Sequence, residues 1–274
     1  MAGRIRLAYV AFAFLVPVLA IMAGARDASC CPADSAPAEI VDALLPPLHE
    51  RWRDEPLPWE LPEWLRNPYD GLTEDDYRTV AEELGVETAA IKAVVDVETG
   101  QKLQGFYAPG KPLINFDLSI YRRMAPRHGV SVAKARKAEP AVFARPDIRK
   151  HGSYQRAQQA RLDAACRVDS ASALESTFWG MFQIGGFNWR RCGVSDVQEF
   201  VRLMSRSEHD QLELFARFIS HDGMVDAIRR KDWLQFATKY NGPGARARGY
   251  HTRLAAAYKL HKEQEKREVA GRTA

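Results

Sequence analysis

"AAIKAVVDVETG", Ala89–Gly100, decides how the chain is read. Wound as a helix, Ile91, Val94, Val95 and Glu98 follow the i, i+3, i+4, i+7 spacing, so Glu98 falls on the stripe that the valines bury. Asp96, two residues earlier, faces roughly the other way. Gly100 supplies a C-terminal stop, which sets Glu98 in the last turn at the edge of a buried face. There the helix dipole opposes a negative charge and apolar neighbours desolvate it, and both raise the carboxyl pKa. A carboxylic acid still protonated near neutral pH is what general-acid catalysis needs. The plainer alternative is a frayed last turn with Glu98 in water, and position alone does not separate the two.

The rest of the chain bounds the choice. Its 274 residues suffice for one substantial domain with appendages, or for two small ones. A net charge of +4 and a pI near 8.9 are mildly basic. Lysines and arginines read as scattered among 35 acidic residues, without the stripe that nucleic acid requires. A basic surface would suit an anionic polymer such as a cell wall, and ordinary solubilising charge explains it equally.

Arg4 and Arg6 precede an apolar run, Leu7 to Ala23, and "AGARDA" follows with Ala23 and Ala25 at signal-peptidase spacing. Residues 1–25 therefore read as a signal peptide or a retained N-terminal anchor, and the protein as exported, periplasmic or extracellular. Asp27, three before Cys30, argues against lipidation. Of the four cysteines, Cys30, Cys31, Cys166 and Cys192, the last two flank one motif-rich segment and could pair; two buried thiols is the alternative. No cysteine or histidine spacing suggests a metal site.

Residues 26–71 are proline-rich and end in "EPLPWELPEWLRNPYDG", a linker or wrapping arm whose Trp59 and Trp64 dock on the following domain or stack on carbohydrate. "LTEDDYRTVAEELG" then opens a helix with Thr73 as N-cap, Asp76 as its partner and Gly85 as the stop. "GFYAPGKP" must be loop or hairpin, and "LINFD" can form a short strand. "SYQRAQQARLDAACRV", "SDVQEFVRLMSR" and "SEHDQLELFARFISHDG" each read as a helix, and "VDAIRRKDWLQFATKYNG" holds two more. The charged end, 260–274, reads as a frayed helical tail.

Two charge-poor stretches do not read as simple core. "STFWGMFQIGGFNW", Ser176–Trp189, sets five rings and three glycines around Gln183 and Asn188, and rings with amides between them commonly line sugar-binding clefts. "KYNGPGARARGY", Lys239–Tyr250, places Tyr240 and Asn241 at a helix end before a Gly-Pro-Gly turn.

A glutamate ending a helix, then "GMFQI", then "YNGPG" is an order that resembles goose-type lysozymes and lytic transglycosylases. The closer likeness is to the N-acetylmuramidase family of phage endolysins and their bacterial relatives, in "LTEDDYRTVAEELGVETAAIKAVVDVETG", "GFYAPGKPLINFD", "SYQRAQQARLD", "SASALESTFWGMFQIGGFNWRRCG", "SEHDQLELFARFI" and "DWLQFATKYNGPG". The resemblance spans roughly Leu72 to Lys259. It implies a mainly α, lysozyme-like helical domain over 72–259 with a small β-hairpin lobe, cleaving the β-1,4 bond after N-acetylmuramic acid in peptidoglycan. Glu98 would be the general acid, and Gln183, Tyr240 and Asn241 would line the cleft, with Trp179, Phe182 and Tyr107 as further candidate sugar contacts.

One departure is Asp117 in "LINFD", where the family favours glutamate. Asp117 is the candidate second carboxylate, on the strand side of a cleft opposite Glu98. The carboxylate separation would decide inversion or retention. Without water activation, the muramoyl 6-hydroxyl could attack instead, as in a lytic transglycosylase. Glu175 and Asp96 are lesser candidates, expected to be solvated. No cofactor is implied, because acid-base glycosidic cleavage needs only carboxyl groups and positioned water. The expected partner is the glycan strand, met by a monomer, with no nucleic acid and with membrane attachment only through an uncleaved leader. A binding module that keeps the fold without activity, or a membrane-held helical interaction protein, are the rival classes.

Overall fold

The computed structural model describes residues 71–100 and 104–272. The apolar leader, the proline-rich arm with Trp59 and Trp64, and Cys30 and Cys31 lie outside them. Helices α1 (Glu74–Leu84) and α2 (Thr88–Thr99) lead to strands β1 (Phe106–Ala108), β2 (Lys111–Pro112) and β3 (Ile114–Phe116). Short helices α3 (Leu118–Met124), α4 (Val132–Ala138) and α5 (Ile148–His151) precede α6 (Tyr154–Val168) and α7 (Ser170–Glu175). Strands β4 (Thr177–Trp179) and β5 (Ile184–Gly185) follow, then α8 (Val197–Met204), α9 (Glu208–Ile219), α10 (Met224–Arg229), α11 (Trp233–Asn241) and α12 (Tyr250–Arg272). The described residues group into two compact units, one within Thr73–Lys102 and Ile219–Ala274, the other within Leu103–Phe218.

In the first unit, helix α1 begins where its sequence says it should. Asp76 Oδ2 accepts from the Thr73 backbone N–H at 2.7 Å, and Thr73 Oγ1 accepts from the Asp76 N–H at 3.3 Å, so the capping box closes. Gly85 stops the helix in the left-handed conformation, at φ +61°. Helix α2 buries Ala89, Ala90, Ile91, Ala93, Val94 and Val95 completely, and its chief packing partner is α12.

The charged end from 260 onward, expected as a frayed helical tail, is the last stretch of that helix. Helix α12 runs to Arg272, and His261 and Lys262 tie it to α2 and its N-terminal approach. His261 Nε2 meets Asp96 Oδ2 at 2.6 Å, and Lys262 Nζ lies 3.0 Å from Glu87 Oε2 and 2.8 Å from Glu265 Oε2. Hydrogen bonds from Lys231 chiefly, then Lys262 and Tyr258, hold the Glu87 carboxyl down to about 2 against its partial burial. Asp96, expected in water, is thus engaged by His261.

In the second unit, β1 and β2 form the anticipated hairpin, with Phe106 opposite Pro112. A three-stranded antiparallel sheet, β3-β4-β5, was not anticipated; it pairs Ile114 with Trp179, Phe116 with Thr177, and Trp179 with Ile184. Its β4 and β5 strands lie inside the aromatic, glycine-rich stretch, whose composition masks their short alternation. The free edge of β3 is closed by α6. Gln155 Oε1 accepts from the Ile114 N–H at 3.0 Å and Gln158 Oε1 from the Phe116 N–H at 3.3 Å, satisfying donors that an edge strand would otherwise expose.

Cys166 and Cys192 do not pair with each other. Cys166 is disulfide-bonded, whereas Cys192 is a free, fully buried thiol that burial pushes up to about 12. Among the described residues no helix is long and apolar enough to cross a membrane.

Candidate active site

Glu98 stands in the last turn of α2, one residue before Thr99 ends the helix. The residue is half-buried, at the end of the apolar stripe of α2. Burial raises its pKa from the ordinary carboxyl range to about 7, against the lowering effects of a hydrogen bond from Asn241 and the charges of Arg253 and Arg248. The bond is specific: Asn241 Nδ2 donates to Glu98 Oε1 at 2.8 Å. Asn241 is itself 2% exposed and ends α11. Its position is fixed from the chain beyond, since Arg248 donates through Nη2 to the Asn241 carbonyl at 2.8 Å. The "YNGPG" turn thus brings an amide 143 residues distant in sequence onto the acid.

The Asn241 bond favours the ionised form of Glu98, so its loss raises the Glu98 pKa further. If Glu98 must be protonated to act, Asn241→Ala will move the alkaline limb of the pH–rate profile to higher pH. The rate at the optimum should fall roughly tenfold, the ~1.4 kcal/mol of one positioning hydrogen bond. A rate profile from pH 4 to 9 checks both signs at once.

In the second unit, β4 and β5 are joined by the four residues Gly180–Gln183. Gln183 holds a left-handed backbone at φ 49°, unusual for a residue with a side chain. Its Nε2 donates back to the Gly180 carbonyl at 2.8 Å, so the amide braces its own turn. Beneath the turn lies Gln211 of α9, fully buried. Gln211 Oε1 accepts from the Met181 N–H, and its Nε2 donates to the Met204 carbonyl, each at 2.8 Å. A methyl group on Gly180 would come within 2.6 Å of Gln211 Oε1, and one on Gly105 within 2.5 Å. Next along α9, Glu208 Oε1 accepts from the Gly105 N–H at 2.6 Å, with its pKa raised by burial despite that bond. One helix end therefore anchors both the β1-β2 hairpin and the β4-β5 turn. Sequence reasoning missed Gln211 and Glu208, because "SEHDQLELF" shows them among several polar side chains of an amphipathic helix and nothing in its periodicity says that these two point inward.

The N-acetylmuramidase family model matches residues 87–262. The chain belongs to the N-acetylmuramidase family. The crystal structure of a Burkholderia AP3 phage endolysin is similar to the muramidase at 36% sequence identity, with a TM-score of 0.61, over 71% of this chain and 72% of that one. No curated protein sequence matches it. The muramidase is accordingly a peptidoglycan-cleaving glycosidase of lysozyme-like, mainly helical fold.

Not every sugar contact expected from the muramidase sequence lies open. Trp179 is 1% exposed and donates through Nε1 to the Leu174 carbonyl at 3.1 Å, so its ring belongs to the sheet's core. Phe182, 3% exposed, stacks on Phe215 with ring centres 4.2 Å apart, leaving no free face for a sugar. The glycines around Gln183 also have packing reasons: a methyl on Gly186 would strike the Leu174 carbonyl at 2.1 Å. Tyr107 on β1 and Gln183 remain half-buried, as does Tyr240, whose ring stacks on Phe236 of its own helix.

Asp117 caps α3. Its Oδ1 accepts from the Ser119 N–H at 2.7 Å, the Ser119 hydroxyl at 2.6 Å and the Ile120 N–H at 3.0 Å. Glu175, expected in water, accepts from Trp189 Nε1 at 3.1 Å and faces His128 Nε2 at 3.0 Å. Among the described residues no three histidine, cysteine or acidic side chains gather to hold a metal ion.

Proposed function

We propose that Glu98 is the general acid of this muramidase, protonating the leaving oxygen of the β-1,4 bond that follows N-acetylmuramic acid. The observation that carries the assignment is the buried carboxyl whose proton is held to about 7 while Asn241 fixes the carboxyl's orientation. Such an acid is still protonated at neutral pH and sits close enough to that pH to release its proton during bond cleavage. Gln183, Tyr240, Asn241 and Tyr107 are the proposed sugar contacts. The arginine-flanked apolar run at the N-terminus supports export to the periplasm or beyond, where the wall is.

Asp117 is the proposed second carboxylate. Its Oδ1 is pinned by three donors, and Oδ2 takes no hydrogen bond among the described residues, leaving one oxygen to orient water or meet the sugar. The same pinning favours a second reading, in which Asp117 serves only as a cap and the muramoyl 6-hydroxyl attacks. Digestion of purified peptidoglycan followed by mass spectrometry separates them. Reducing muramic-acid ends support hydrolysis, and 1,6-anhydro ends the transglycosylase. Asp117→Asn keeps a competent N-cap, so a loss of at least a hundredfold in hydrolysis with an unchanged melting temperature assigns chemistry to Asp117; retained activity removes it from the mechanism.

A further inference from the structure

The charge that composition spreads over the whole chain is concentrated in one segment. Between Tyr121 and Arg156 stand ten lysines and arginines against two acids, a net +8 in a chain whose total is +4. The segment runs from α3 through α4 and α5 into the first turn of α6, and all ten basic residues are exposed. Its two acids are already committed. Glu139 accepts from Arg167 Nε at 2.8 Å and Nη2 at 3.0 Å, and Asp147 caps α5 by accepting from the Lys150 N–H at 3.0 Å. None of the ten cations pairs with a carboxylate among the described residues. Arg136 lies over the Phe143 ring and Arg127 against Met124 Sδ, contacts that orient the side chains and leave their charge uncompensated.

A face kept merely soluble intersperses both signs, since like charges crowded together repel and weaken the fold. We propose that this segment presents its cations as a docking surface for the carboxylates of peptidoglycan peptide stems, holding the wall polymer while the glycan is cut. The proposal rests on the muramidase activity toward peptidoglycan and not on the assignment of Glu98. Seven of the ten are arginines, whose planar donors match a carboxylate in pairs. A strand carrying carboxylates at every repeat engages several such groups at once, so weak contacts sum to useful retention. The segment is also hydrogen-bonded to the sheet that carries the β4-β5 turn. Gln155, at the end of the basic segment, and Gln158 just beyond it bond the backbone of β3, the strand that pairs with β4.

The test is cosedimentation with insoluble peptidoglycan in the Glu98→Gln background, from 50 to 500 mM NaCl. It compares the ten intact cations with a variant carrying Arg122→Gln, Arg123→Gln, Lys134→Gln, Lys137→Gln, Arg149→Gln and Lys150→Gln. The charge-reduced variant should bind at least tenfold more weakly at 50 mM NaCl and lose most of its salt dependence, because screening removes only what charge supplies. Peptidoglycan whose stem carboxylates have been chemically amidated should weaken the protein with its cations intact by the same factor, a comparison that needs no substitution in this face. Equal binding by both proteins, or undiminished binding to amidated wall, overturns the proposal. So does a charge-dependent binding confined to vesicles containing phosphatidylglycerol, which would assign the face to a lipid surface. Release of muropeptides by the wild-type protein is scored separately, so a failed docking surface and a failed muramidase give different results.

Discussion

Glu98→Gln should lower peptidoglycan hydrolysis by about 10²–10⁴-fold, the usual contribution of a positioned general acid, and leave a protein that is harder to unfold above neutral pH. The two effects share one cause. With the folded carboxyl pKa at about 7 and the unfolded one near 4.5, the folded state holds its proton where the unfolded state has lost it. A raised pKa of this kind contributes stability fully below about pH 4.5 and loses it as pH rises through about 7. Full linkage over that interval is about 3 kcal/mol, and a half-buried residue realises about 1–3 kcal/mol of it. Glutamine does not titrate, fits the same space, and still accepts from Asn241 Nδ2. The melting-temperature gap in favour of Glu98→Gln should therefore open between pH 4.5 and 7 and reach several degrees by pH 8. Calorimetry at pH 4 and pH 8 beside an activity assay decides it. A gap that is flat with pH would mean Glu98 ionises like an exposed carboxylate, and the general-acid assignment would fall with it.

The placement of Glu98 at the end of a buried helix face was legible because two local rules met in twelve residues. The i, i+3, i+4, i+7 stripe told which face was buried, and Gly100 told where the helix ended, so a charged residue on that face near that end stood out. The capping box of α1, the hairpin at "GFYAPGKP" and the helix over "SYQRAQQARLDAACRV" were legible for similar reasons: each is written in neighbouring residues. What was not legible depends on long-range contacts. Trp179 and Phe182 look like sugar platforms in a list of rings, and only the Leu174 carbonyl and the Phe215 face show that both rings are already used. Asp117 was legible as a carboxylate beside a strand, but not the N–H groups of α3 that converge on its Oδ1. Asp96 and Glu175 look solvated until His261 and Trp189 arrive from 165 and 14 residues away. The basic segment escaped notice for a different reason, since whole-chain counts average it against an acidic N-terminal helix pair; Glu74, Asp75, Asp76, Glu82 and Glu83 all lie in α1.

Gln211→Leu should be the most damaging single change away from Glu98. Leucine matches the side chain in volume but supplies neither bond, so the Met181 N–H and the Met204 carbonyl are left buried without partners. Each orphaned group costs about 1–3 kcal/mol, and together they should lower the melting temperature by about 5–15 °C. At temperatures where the variant remains folded, the β4-β5 turn loses the atom that sets its height, and kcat/KM should fall about 10–100-fold. Gln211→Glu separates this account from a simple packing defect. Protonated, a glutamic acid accepts from Met181 and donates its O–H to Met204, restoring both bonds; ionised, it keeps the first and turns the second into repulsion. Burial raises the folded pKa of such a group, so its rescue is present below the unfolded value and is lost as pH rises through the folded one. Gln211→Glu should thus approach wild-type stability near pH 4 and resemble Gln211→Leu at pH 8. Equal destabilisation at both pH values would show that Gln211 fills space beneath the turn and does not hold it.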